Sequence, residues 1–159
     1  MSDKVKCGGL IVRRGLCMLE IMGYEWRAGR SSRILAMFGE NEIPLCYLSL
    51  GKCADGSKQL VLCVEHKMRE RCRPILDGVR DEFMPRALGV VEDVVILTVY
   101  GPHFYERVAL ASEVYGSTCE AGIDAHSVGS SVNSISLVVD AADEPGTIAS
   151  LRTRFVWPE

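Results

Sequence analysis

Several kinds of segment are missing from this chain, and each absence closes off a class of function. No apolar run approaches the roughly 20 residues that a membrane-spanning helix needs. The amino-terminal "MSDKVKCGG" has no apolar core of the kind a secretory signal carries. A cytoplasmic location is therefore the expectation, with no membrane partner. Basic residues are not in excess. The formal net charge is -3, and the densest basic run, "HKMRERCR" (His66 to Arg73), is interrupted by Glu70. That run reads as the solvated face of a helix, which argues against a nucleic-acid partner. No two cysteines have the CxxC spacing, so a zinc site is not expected. No glycine-rich phosphate cradle opens a helix. No nucleophile, base and orienting group fall into a recognisable set.

The seven cysteines are Cys7, Cys17, Cys46, Cys53, Cys63, Cys72 and Cys119. An odd number scattered through apolar segments suits reduced, buried thiols, and Cys46 with Cys53 is the pair a turn could bridge. His103 and His126 sit in loops without ligand spacing, and His66 flanks a helix. No metal or other cofactor is expected.

The 159 residues, 48% hydrophobic and 25% charged, suffice for one ordinary domain or two small ones. Internal similarity favours two. "GLCMLEIMG" (Gly15 to Gly23) resembles "EDVVILTVYG" (Glu92 to Gly101). "EIPLCYLSLG" (Glu42 to Gly51) parallels "GIDAHSVGSS" (Gly122 to Ser131), and "KQLVLCVE" (Lys58 to Glu65) parallels "NSISLVVD" (Asn133 to Asp140). Each half reads strand, helix, strand, strand, helix.

The periodicities identify the faces. In "SISLVVD", Ile135, Leu137 and Val139 should meet helices, while Ser134, Ser136 and Val138 should be more exposed. "VVILTVY" is apolar on both faces, as a central or interface strand would be. Met68, Cys72, Ile75, Val79 and Phe83 form one helical stripe. Leu110, Val114, Thr118 and Ala121 form a second, and Ile148, Leu151 and Phe155 a short third. Pro74 should kink its helix or mark its first turn. The first half has a further strand candidate, "RALGVV" (Arg86 to Val91). The second half ends at "FVWPE" with little room for one. The amino-terminal "KCGGLIVRR" offers a spare strand, expected to complete the second half's sheet.

The apolar strand ending in "GPHF", the "EAGI" helix end, the "GSSVNSIS" hairpin and the "LVVD" strand, in that order, resemble the second ACT domain of the aspartokinase regulatory region. "GLIVRRGLCMLEIMG" is similar to the segment that opens that region. The resemblance covers about residues 5 to 156. It implies an α+β fold of two ferredoxin-like βαββαβ units, with antiparallel sheets and helices on one face. Residues 15–91 would form the first ACT domain, and residues 4–14 with 92–159 the second.

The resemblance implies a freestanding regulatory module without the kinase domain and without catalysis. It would bind a free amino acid of the aspartate family, such as lysine or threonine, at ACT domain interfaces, and would form a homodimer. Residues expected at the ligand are Trp26, Arg27, Ala28, Gly29, Arg30, Ser31 and Ile43 in the first half. In the second they are Asp124, Ser130, Ser131 and Asn133. Helix N–H groups near Arg30 and Ser31 would take the carboxylate, and Asp124 or Asn133 the ammonium. Gly29 would let the backbone approach the ligand, and Ser31 or Ser32 would cap the helix.

This chain departs from the family pattern at Pro44 and Leu48 in the first half, and at Arg107 and Val128 in the second. A ligand-free regulatory subunit that associates with a metabolic enzyme is the alternative. An enzyme using Cys119 or His126 is the third reading.

Overall fold

In the computed structural model, residues 4–102 and 104–158 are described. The elements along the chain are β1 (Val5–Lys6), β2 (Gly9–Glu25), α1 (Arg30–Glu40), β3 (Tyr47–Lys52), β4 (Ser57–Glu65) and α2 (Arg69–Phe83). There follow β5 (Ala87–Tyr100), α3 (Leu110–Glu120), β6 (Ser127–Ser130), β7 (Ser134–Asp140), α4 (Glu144–Arg154) and β8 (Phe155–Val156). Short 3-10 turns lie at His66–Met68, Phe104–Glu106 and Ala141–Asp143. The fold is mixed α+β, with antiparallel pairing throughout the β2–β4, β3–β4, β5–β7 and β6–β7 ladders. Among the described residues, no helix is long and apolar enough to cross a membrane.

The chain divides into two compact units. One is Gly15–Asp93; the other, split in sequence, joins the residues before Gly15 to those from Val94 onward. Strands β2 and β5 each contribute residues to both.

In the Gly15–Asp93 unit the strand order is β3-β4-β2-β5. Residues two apart share a sheet face. Cys17, Leu19 and Ile21 of β2 therefore line up with Leu60, Leu62 and Val64 of β4. These six pack with Ile34 and Phe38 of α1 and with Cys72, Ile75, Leu76, Val79 and Phe83 of α2 in one buried cluster. Side chains such as Phe38 and Leu62, both 0% exposed, each contribute about 1.5–3 kcal/mol by leaving water. The α2 stripe anticipated from its period is the face that is buried. Pro74 is the sixth residue of α2, so it does not mark the first turn. At Gly23, φ is 73° and the β2–β4 register shifts between Met22 and Tyr24. A Cβ there would come within 2.9 Å of the Arg86 side chain.

In the split unit the order is β2-β5-β7-β6. Val95, Leu97 and Val99 of β5 and Ile135, Leu137 and Val139 of β7 pack with Leu110, Val114 and Leu151 of its helices. Val5, Cys7 and Phe155 join the same cluster. Strand β1 pairs in parallel with β8, Val5 opposite Phe155 and Lys6 opposite Val156. Beyond it, Cys7 N donates to Val156 O at 3.0 Å and Gly8 N to Tyr100 O at 2.7 Å.

Several expectations need correction. "KCGGLIVRR" and "GLCMLEIMG" run into one strand, β2, and "RALGVV" and "VVILTVY" into another, β5. Each long strand passes a left-handed residue, Gly15 (φ 69°) and Asp93 (φ 50°), without forming a turn. Val138 is fully buried, not exposed; it lies opposite Ile96, itself 3% exposed, so this face of the sheet is buried here as well. Farther along that face, Thr98 and Ser136 share a hydroxyl hydrogen bond of 2.8 Å. Ala121 falls just past the end of α3 and is exposed. Phe155 belongs to β8 and not to the helical stripe, so the segment dismissed as too short does hold a strand.

Candidate functional site

Strand β2 ends at Glu25, and Trp26 to Gly29 form an exposed loop into α1. Gly29 is the N-cap, with φ 85° and ψ -16°, and no side chain caps the helix. Ser31 and Ser32 lie within the first turn and do not cap it. The Ser31 hydroxyl instead shares a 2.8 Å hydrogen bond with the Tyr24 phenol, whose pKa burial pushes up. The first turn carries no acidic residue. The Arg30 N–H bonds Arg27 O at 3.2 Å; the next N–H groups of the turn, with no side-chain cap and at the positive end of a helix dipole, suit a carboxylate. A Cβ built on Gly29 would meet nothing within 4 Å. Within the protein it is the backbone angle, and no crowding by neighbouring side chains, that calls for glycine here.

Beside this loop opens a cleft of about 650 Å³. Glu25, Trp26 and Arg30 line one part. Asp55 and Ser57, from the β3–β4 turn, and Phe83, Met84 and Arg86, from the α2–β5 connection, line the rest. Its charges are balanced and paired. Arg30 Nη2 lies 3.0 Å from Glu25 Oε2, and the guanidinium sits 5.8 Å from the Phe83 ring centroid. Arg86 Nη2 donates to Asp55 Oδ2 at 2.5 Å. Asp55 Oδ1 accepts from Ser57 N at 2.9 Å and from Ser57 Oγ at 2.7 Å. The Ser57 hydroxyl and N–H, and after them Arg86, hold the Asp55 carboxyl well below the usual carboxylate range. Trp26 is 53% exposed, with the Lys52 ammonium 3.9 Å from its ring centroid.

The anticipated residues are distributed as follows. Trp26 and Arg30 line the cleft; Arg27 reaches Glu25 at 3.3 Å, and Ala28 is exposed in the same loop. Ile43 is 5% exposed and packs in the core, its N–H bonded to Phe38 O at 3.0 Å. In the split unit, Asp124 is exposed just after buried Ile123. Ser130 and Ser131 line a smaller cleft of about 270 Å³ with Arg107, Leu110 and Val132. Ser131 Oγ lies 2.7 Å from Ser134 Oγ, and the Asn133 carbonyl accepts from Gly101 N at 2.9 Å. The left-handed N-cap of α3 is Ala109 (φ 63°), two residues past Arg107, one of the departures from the family pattern.

Asp55, Ser57, Met84 and Arg86 were not anticipated. The "ADGS" turn could have pointed to the first two, since Asp and Ser side chains commonly bond the backbone two residues on.

Among the described residues, no group of three His, Cys, Asp or Glu side chains is placed to hold a metal ion. His103 lies outside the described residues. His126 Nε2 is 2.8 Å from Asp140 Oδ1. All seven cysteines are free, Cys46 and Cys53 included. Burial pushes the Cys17 thiol up to about 11 and the Cys63 thiol up to about 12, so neither is a ready nucleophile.

No protein-family model matches the chain, and no curated protein matches it either. Solved structures do. The regulatory subunit of aspartate kinase from Thermus flavus superposes with a TM-score of 0.85 at 12% identity, over 93% of this chain and 97% of that one. The ligand-free regulatory subunit from Thermus thermophilus gives 0.83 at 13% identity, over 94% and 99%. The larger E. coli aspartokinase III, solved in complex with lysine and aspartate, gives 0.69 at 12% identity, over 96% of this chain and 34% of that one. At these identities the likeness speaks for the fold, and the fold of this chain is that of the aspartate kinase regulatory subunits.

Proposed function

We propose that this chain is a non-catalytic regulatory module of two ferredoxin-like ACT domains, residues 15–91 and residues 4–14 with 92–159, that binds a free amino acid in the cytoplasm. An aspartate-family effector such as lysine or threonine fits best. The observation that carries the reading is the uncapped α1 N-terminus opening beside a cleft with balanced charges. A free amino acid is a zwitterion. Its carboxylate would meet N–H groups near Arg30 and Ser31, and its ammonium would meet Glu25 or Asp55. Trp26 and Phe83 offer apolar surface for the side chain. Asp124, Ser130, Ser131 and Asn133 form a second candidate set in the split unit.

Strand β3 supports a homodimer. It is the free edge of its sheet and carries Leu48 and Leu50, 49% and 43% exposed. Its counterpart β6 has Val128 and Ser130 at the matching places. An apolar edge left open invites pairing. The alternative, a ligand-free subunit docked on a metabolic enzyme, is favoured by the ion pairs that already occupy the cleft.

A thermal-shift screen of the twenty amino acids separates the two. Ligand at about 100 times its dissociation constant adds roughly 2.7 kcal/mol, a rise of about 5–10 °C for a chain of this size. Each lost charged hydrogen bond should then weaken binding about tenfold to hundredfold. Calorimetry on Asp55→Ala and Asp124→Ala locates the ammonium contact. No shift with any amino acid favours the ligand-free reading.

A further inference from the structure

We propose that the split unit carries a separate anion-binding cleft, built by Lys4, Lys6 and Arg107 over Pro102 and Phe104, that takes a small dianion bearing phosphate or paired carboxylates. The cleft encloses about 520 Å³. It goes beyond the amino-acid reading, which rests on other residues.

Strand pairing places the lysines. Val5, 3% exposed, is held inward opposite Phe155, so its neighbours Lys4 and Lys6 both point outward on one side. Lys4 Nζ donates to Arg152 O at 2.7 Å, which fixes the ammonium and leaves two of its three donors free. Arg107 follows the 3-10 turn at Phe104–Glu106, with its N–H bonded to Phe104 O at 3.2 Å. Its guanidinium has one loose partner, Glu113 at 3.4 Å, well beyond the 2.7–2.9 Å typical of a charged pair. It can therefore turn to a ligand at small cost. Glu106, the one carboxylate among the described residues that line the cleft, is engaged in an interaction of its own.

The contrast with the Gly15–Asp93 unit decides the chemistry. There, Arg30 and Arg86 face Glu25 and Asp55 and are paired with them. Here, among the described residues, Lys4 and Lys6 have no carboxylate partner, while Arg107 has Glu113 at 3.4 Å and Glu106 lines the cleft. The chain as a whole carries a net charge of -3, so a general attraction for anions does not account for it. A concave surface of one sign concentrates its field on a ligand of the opposite sign. Two charges on the ligand match the two lysines. Pro102 and Phe104 supply apolar lining beside these charges.

The test is a titration of the intact chain followed by amide NMR at low and constant ionic strength. The probes are inorganic phosphate, succinate and, as a monoanion control, acetate. The expected result is saturable shifts at amides 4–6 and 104–107 with a dianion and none with acetate. A response to phosphate alone, succinate alone or both identifies the source of the charge. Lys6→Gln and Arg107→Gln should each weaken binding about fivefold, and binding should weaken with added salt. Amides of Trp26 to Ser31 should stay unmoved, which keeps this site distinguishable from an amino-acid site. The proposal is overturned if neither dianion gives saturable shifts there, if acetate acts alike, or if the double variant binds as the parent does.

Discussion

Replacing Gly29 by alanine isolates backbone geometry from space. At φ 85° and ψ -16° the residue lies in the left-handed region, past its optimum near +57°. An L side chain there costs roughly 1–2 kcal/mol. No steric cost is added, because the new Cβ would meet nothing within 4 Å. Alanine also restricts the unfolded chain, which returns about 0.4–1 kcal/mol. The expected net loss is about 1 kcal/mol, read as a lower urea midpoint at unchanged slope. That corresponds to a drop of roughly 2–4 °C in Tm. The protein contains its own control. Ala109 caps α3 at φ 63°, so Ala109→Gly should be neutral or slightly stabilising. A loss above about 4 kcal/mol for Gly29→Ala would mean an unseen clash. No loss at all would mean that the loop does not need its left-handed residue. Either outcome refutes the argument.

Asp55, with its pKa depressed, contributes stability that is present above the unfolded carboxylate pKa of about 4 and is lost as pH falls through the lower folded value. Asp55→Asn should therefore flatten the acid limb of a stability-versus-pH curve, and an unchanged limb would count against the Ser57 and Arg86 contacts. Thiol labelling under native conditions should modify exposed Cys119 first and half-buried Cys46 and Cys53 later. Cys7, Cys17, Cys63 and Cys72 should react only on unfolding; early modification of Cys63 would contradict its burial. A Leu48→Lys, Leu50→Lys double variant should sediment as a monomer where the parent dimerises, and an unaltered dimer would place the interface elsewhere.

The antiparallel α+β character was readable because alternation and helical stripes survive in the sequence: Ile135, Leu137 and Val139, or Cys72, Ile75 and Val79, are buried as their spacing requires. Strand limits were less readable. Gly15 looks like a break, yet a left-handed residue can sit inside a continuous strand, and no spacing rule separates that from a turn. Val138 was misjudged because its own strand does not tell whether the second face of the sheet is covered; Ile96 beside it is buried too. The loop from Trp26 to Ser31 was visible from its glycine, serines and position before a helical stripe. Asp55, Ser57 and Arg86 reach the same cleft from segments remote in sequence, and only the β2–β4 register and the close approach of Arg86 to Gly23 bring them there. Ser31 was misread as a cap because the serine next to a helix start was credited ahead of the glycine before it.

The central claim is that the α1 N-terminus, which no side chain caps, and its charge-balanced cleft receive a free amino acid. Isothermal calorimetry of the purified chain against lysine and threonine, each paired with its decarboxylated amine, tests it most directly. The account predicts saturable binding of an amino acid and its loss with the amine, because the carboxylate is the group the helix N–H donors hold. Equal binding of the amine, or no heat with either amino acid, would contradict it.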